Sequence, residues 1–136
     1  SLEAYMAISM SVNAGLSVTL TEDGVRIDSP GAACQQFIFK LESGLASGMS
    51  KLKFTADFSN YNGRVVLQLA DSNWNNYSYT LDIESNPSGT YEIDFSSFLI
   101  GGTTPFTTQT LMWVMFNFDD STGNGYILLD DVQLLK

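Results

Sequence analysis

Apolar and polar residues alternate with a period of two along most of this chain, between breaks rich in Gly, Asn, Asp and Pro, and hardly any window carries helical periodicity. That pattern commits the chain to strands, because successive side chains of a strand point to opposite faces of a sheet. "KLKFTADF" sets Leu52, Phe54, Ala56 and Phe58 on one face and Lys51, Lys53, Thr55 and Asp57 on the other. "RVVLQLA" sets Val65, Leu67 and Leu69 against Arg64, Val66 and Gln68. "TLMWVMFNF" sets Met112, Val114, Phe116 and Phe118 against Trp113, Met115 and Asn117. "NYSYTLDIE" groups Tyr77, Tyr79, Leu81 and Ile83 and leaves Ser78, Thr80 and Asp82 opposite. Further strands are expected at "AYMAISM", "LSVTL", "GVRID" and "CQQFIFKL", at "TYEIDF" after the turn "NPSG", and at "YILLDDVQLL" after "DDSTGNG". About nine short strands with no helix to cover a parallel sheet imply an all-β fold, an antiparallel sandwich or barrel. Neither a repeat nor a linker interrupts residues 1–136, which are expected to form a single domain with one core.

Several functional classes are closed by what the chain lacks. There is no His, so no imidazole serves as general base or metal ligand, and the lone Cys34 provides neither an internal disulfide nor a thiolate zinc site. Six basic residues against fifteen acidic ones give a net charge of −9, which repels nucleic acid and anionic membrane. The longest apolar run, "YILL", is far too short to span a bilayer. Only 15% of residues are charged, with Ser, Thr, Asn and Gly in their place, a balance expected of secreted β-proteins. No leader segment opens the chain, so the expectation is a removed leader or an excised module.

The second half, "SGTYEIDFSSFLIGGTTPFTTQTLMWVMFNFDDSTGNGYILLDDVQLL", resembles the closing half of β-jelly-roll carbohydrate-binding modules. The matching residues are Ile93, Phe95, Ser96, Phe98, Val114, Phe116, Gly125, Tyr126, Asp130, Asp131, Val132 and Leu134. "LTEDGVRI" and "LESGLASGMSKLKFTADFS" are similar, more loosely, to the opening half. The resemblance implies a jelly-roll β-sandwich, a glycan groove on one sheet, and a non-catalytic module attached to a secreted hydrolase of plant polysaccharides. It also implies a structural calcium, with Glu22 and Asp131 at the matching places. Calcium needs six to eight oxygens, so backbone carbonyls would complete such a shell. The alternative for Asp130 and Asp131 is a solvated acidic turn.

A sugar ring offers a rim of hydroxyls and a weakly apolar C–H face, so a site that holds it needs aromatic faces together with planar polar groups. The non-core faces of three strands supply that mixture: Arg64 and Gln68, then Ser78, Thr80 and Asp82, then Trp113, Met115 and Asn117. Trp113 stands opposite the obvious core residues of its strand, and its alternatives are ligand contact and cover by a loop or the second sheet. Trp74 lies in "SNWNN", a loop whose amides can reach hydroxyls, with Tyr77 beginning the next strand. Tyr79 reads as core. Tyr61 and Gln109 are weaker candidates beside the same groove.

An enzyme reading rests on "YEIDFSS", which resembles the start of the "E-I-D-I-E" motif of a β-jelly-roll glucanase family, with Glu92 and Asp94 in place. The second Glu of that motif is Ser96 here, and retaining hydrolysis needs both carboxylates. A protein-interaction or adhesin-type domain is the other alternative, with Met49, Met112 and Met115 as its contact residues. The reading that best fits the residues is a monomeric, secreted module that binds a plant β-glucan without cleaving it. The expected ligands are xyloglucan, mixed-linkage glucan or an amorphous cellulose chain, held by Trp113 and Trp74 with hydrogen bonds from Gln68, Arg64, Asn117 and Asp82.

Overall fold

A computed structural model describes residues 10–12, 17–22, 24–29, 35–42, 44–107, 111–119 and 125–136. Among them, twelve strands form two sheets in which every pairing is antiparallel. The larger sheet contains β1 (Met10–Val12), β4 (Gln35–Lys40), β11 (Leu111–Asp119), β6 (Arg64–Asp71), β7 (Asn76–Leu81), β9 (Leu99–Ile100) and β10 (Thr104–Pro105), in that spatial order. The smaller contains β2 (Ser17–Thr21), β3 (Gly24–Ser29), β12 (Gly125–Leu135), β5 (Lys51–Asp57) and β8 (Ser88–Asp94). Strands adjacent in space are mostly distant in sequence, so the chain passes repeatedly from one sheet to the other and closes one shared core.

The alternating faces meet in that core. Phe37, Phe39, Val65, Leu67, Leu69, Val114, Phe116 and Phe118 turn inward from the larger sheet, and Val25, Ile27, Leu52, Phe54, Tyr91, Ile93, Ile127 and Leu129 from the smaller. Phe54 and Phe116 join the two layers edge to face, with ring centroids 5.1 Å apart. Phe116 also meets Phe39, at 6.0 Å. Each such ring contributes about 1.5–3 kcal/mol by leaving water, and the edge-to-face geometry adds to it. The outward faces of β5 and β8 carry charge instead, with Lys51 placed 3.2 Å from Glu92 and 3.9 Å from Asp94.

The strand reading needs two corrections. Register shifts between Leu111 and Trp113, so a bulge at Met112 turns Leu111 into the core in place of Met112. The strand read through Glu84 ends at Leu81: Asp82 begins a turn, where its Oδ1 accepts the Ser85 N–H at 3.2 Å. Most of "AYMAISM", as well as Cys34, Gln109 and Asp120, lies outside the described residues.

Candidate functional site

β6 and β7 are consecutive antiparallel strands, and the segment between them is tied together by the last residue of β6. Asp71 Oδ1 accepts the backbone N–H groups of Asn73 (2.9 Å) and Asn75 (3.0 Å), while Oδ2 accepts the Asn75 side-chain amide at 2.9 Å. Backbone bonds from Trp74 N–H to Asp71 O and from Asp71 N–H to Asn75 O complete the turn. This is an Asx-type closure, in which a carboxylate substitutes for the backbone acceptors a turn cannot supply. Burial of Asp71 disfavours its charge, but the hydrogen bonds from Asn75 and Asn73 outweigh that and hold the carboxyl below its ordinary range.

The turn forces Trp74 into the left-handed region at φ 62, unusual for a bulky residue, and projects its ring over the outer face of the larger sheet. There it stacks on Trp113 of β11, with centroids 3.7 Å apart and planes 21° from parallel. Trp113 stands beside Ala70 of β6 on one side and Lys40 of β4 on the other. Ala70 is buried and small, so nothing bulky on β6 competes with the indoles for the space. Trp74 remains 55% exposed, leaving one broad aromatic face open to solvent.

From this pair a polar ladder runs across the same sheet face. Asn117 Nδ2 donates to Gln68 Oε1 at 2.9 Å and to the Val66 carbonyl at 3.1 Å, and Gln68 Nε2 donates to Ser78 Oγ at 3.0 Å. The two amides are thereby oriented, yet each keeps capacity for a further bond, since an amide carries two N–H groups and two lone pairs. Arg64 begins β6, exposed and on the Gln68 side by alternation, about 20 Å along the strand from Ala70 at the usual rise per residue. The face can therefore seat an extended polar chain along β6, with the tryptophans at one end and the guanidinium at the other.

Of the residues singled out from sequence, Trp113, Trp74, Gln68, Asn117 and Arg64 share this face. Met115 lies among them but is only 2% exposed, so it is packing beneath the surface, not a ligand contact. Asn117 is 9% exposed and acts first as the anchor of Gln68. Tyr77 turns inward and meets Phe106 edge to face at 5.0 Å, and Tyr61 is buried against Phe118. Asp82 belongs to the turn after β7 and not to the ladder. Asp71 was missed, although "D-S-N-W-N" carries the Asx signal of an acid followed by turn-forming amides.

Glu22 sits exposed in the β2–β3 turn, and Asp131 is exposed at a second bulge, in β12, at φ 52. A Cβ on Gly24 would come within 2.5 Å of the Leu129 carbonyl and 2.8 Å of Asp130 Cβ, so this turn packs directly against β12 at Leu129 and Asp130. Among the described residues no three His, Cys, Asp or Glu side chains gather to hold a metal. Two carboxylates alone fall short of a calcium shell.

No protein-family model and no curated protein matches the chain. Solved structures do. A family 11 carbohydrate-binding module from Clostridium thermocellum, in complex with a β-1,3-1,4-mixed-linked tetrasaccharide, aligns with 93% of this chain and 83% of its own, at a TM-score of 0.66 and 16% identity. A family 28 module specific for non-crystalline cellulose aligns with 99% of this chain and 91% of its own, at 0.57 and 15%. The fold is that of the β-jelly-roll carbohydrate-binding modules. An agarase carries the same jelly roll as one segment: the match covers 95% of this chain but 22% of the agarase, at 0.70 and 9% identity. In this jelly roll the stacked indoles and the amide ladder occupy the outer face of the seven-stranded sheet.

Proposed function

We propose that this protein is a non-catalytic module that binds a neutral plant cell-wall β-glucan along the outer face of the larger sheet and so directs an attached glycoside hydrolase to its substrate. The observation that carries this reading is the Trp74–Trp113 stack, with Trp74 open on its outer side, at the end of an oriented amide ladder. A glucan ring would lie with its C–H face on Trp74 while Trp113 backs the indole from behind, and its hydroxyls would meet Gln68 and Arg64. Only one of the two indoles offers a broad free face, which suits a single soluble or amorphous chain better than a crystalline surface. The mixed-linkage tetrasaccharide held by one fold neighbour and the non-crystalline cellulose specificity of another support the β-glucan class. The agarase segment supports linkage to an enzyme. Secretion and action as a monomer belong to the same proposal.

Glu92 and Asp94, the foothold of an enzyme reading, are exposed and share Lys51 on the other sheet, and Ser96 lies in the short 3-10 turn after β8. Native gels containing xyloglucan, barley β-glucan, hydroxyethylcellulose, xylan or agarose test the proposal, alongside a reducing-sugar assay. Retardation in a β-glucan gel without sugar release is the expected result, and Trp74→Ala should cut it about two- to tenfold, since stacking on an aromatic face contributes about 0.5–1.5 kcal/mol. Retardation in agarose alone would transfer the reading to a galactan. Free migration in every gel would overturn it, and released sugar would reopen the carboxylates.

We further propose a structural calcium held by Glu22 of the β2–β3 turn and Asp131 of β12, with backbone carbonyls completing the shell. The support is the packing of that turn at Gly24 against Asp130, the neighbour of Asp131, and against the Leu129 carbonyl, a donor calcium accepts.

A further inference from the structure

We propose a second binding site, for a single neutral sugar ring or a disaccharide, in the cleft where the two sheets part between β7 and β8. It goes beyond the tryptophan face and does not depend on it.

β8 is the edge strand of the smaller sheet, and β7 pairs with β9 only at Ser78 and Leu99. The sandwich is therefore open along Tyr79 to Leu81 on one side and along β8 on the other. The opening holds a cleft of about 320 Å³, at the small end of ligand-site volumes. Its floor is Tyr79, backed by the core residues Leu81, Tyr91 and Ile93. Tyr91 is rigidly placed, since its ring stacks on Phe54 at 5.1 Å and its hydroxyl donates to the Asn86 carbonyl at 2.6 Å. Tyr79 leans on Phe98 at 5.7 Å and is the one ring of the cleft that stays partly exposed, so a single small ring surface is held ready in a largely polar opening.

The rim is polar. The Asn86 amide and the Thr90 hydroxyl make no side-chain hydrogen bond among the described residues and border the cleft. With them stand two carboxylates, Asp82 and Glu92, of which Glu92 is shared with Lys51. One partly open ring, Tyr79, under a rim of amide, hydroxyl and carboxylate complements a pyranose, with its C–H face and equatorial hydroxyls. The carboxylates turn away uronic acids and sulfated sugars, which leaves neutral ones. The volume is too small for a long chain, so the cleft takes a chain end or a short branch.

The test is an amide-resolved NMR titration of the intact domain with cellobiose and lactose, with glucuronate as the anionic comparison. The proposal expects saturable shifts at Tyr79, Asn86 and Thr90 with a neutral disaccharide, unchanged in Trp74→Ala, and weakened about fivefold for each of Asn86→Ala and Thr90→Val. Both positions are exposed, so these variants keep the fold. Shifts confined to Trp74, Trp113 and Gln68, no shift with either disaccharide, or equal shifts with glucuronate would each overturn it. Because Trp74→Ala is part of the series, loss of polymer retention and loss of the cleft are read separately.

Discussion

Trp74 at φ 62 carries a backbone cost of about 1–3 kcal/mol, and such strain persists only where its surroundings over-determine it. What over-determines it is the Asp71 carboxylate with its three hydrogen bonds, together with the indole beneath. Asp71 is thus a positioning residue for the open ring. Indoles in contact with their planes skewed by 21° couple their transitions, so the intact pair gives a split circular-dichroism band that each single Trp variant lacks. Asp71→Ala should abolish that band and lower glycan retention while leaving the sandwich folded, because the turn lies outside the core. The pH dependence has a defined sign. The carboxyl is held below its ordinary value near 4, so its contribution is complete above that value and is lost as pH falls through the lower folded one. The split band should be the same at about pH 5 as at neutrality and fade only below about pH 4. A band already fading at about pH 6 would contradict the role given to Asp71.

At the scale of strands, what period two revealed and what it concealed have the same cause. β5 and β6 as far as Leu69 alternate because one side of each meets the opposite sheet, and for them burial follows the sequence pattern residue by residue. Alternation identifies the side facing the core but not what covers the other side, so Met115 and Asn117 lie on the predicted face yet are nearly inaccessible. It also cannot register an extra residue, which is why the bulge at Met112 went unread while the Trp113 assignment three residues from Phe116 survived. The stacking of two tryptophans far apart in sequence depends on the pairing of β6 with β11, and local patterning carries no information about it. Gly125, at the start of β12, is a further case. It reads as the end of a turn, yet a Cβ there would lie 1.9 Å from the Asn60 carbonyl, which also accepts the Tyr126 N–H at 3.1 Å, and its φ is 123. Gly125→Ala should therefore lower the thermal midpoint by roughly 5–10 °C with the unfolding still cooperative. A change within the error of the melt would show that the loop at Asn60 yields freely.

For the whole molecule, calcium and charge set the test. With a net charge of −9, a divalent cation at the β2–β3 turn would relieve repulsion as well as bridge the turn to β12. Saturating calcium should raise the thermal midpoint over the chelated protein by roughly 5–15 °C, the span for a ligand at a hundredfold its dissociation constant. Coincident melts would remove the calcium from the proposal. The chain has just two tryptophans, and both stand in the one stack. Its intrinsic fluorescence is consequently blind to nearly all of the sandwich and reports on a single corner. A fluorescence melt that precedes the calorimetric one measures how easily the 72–75 turn lifts away from a sheet that is still intact, and so turns the difference between two ordinary melting curves into the local stability of the glycan face.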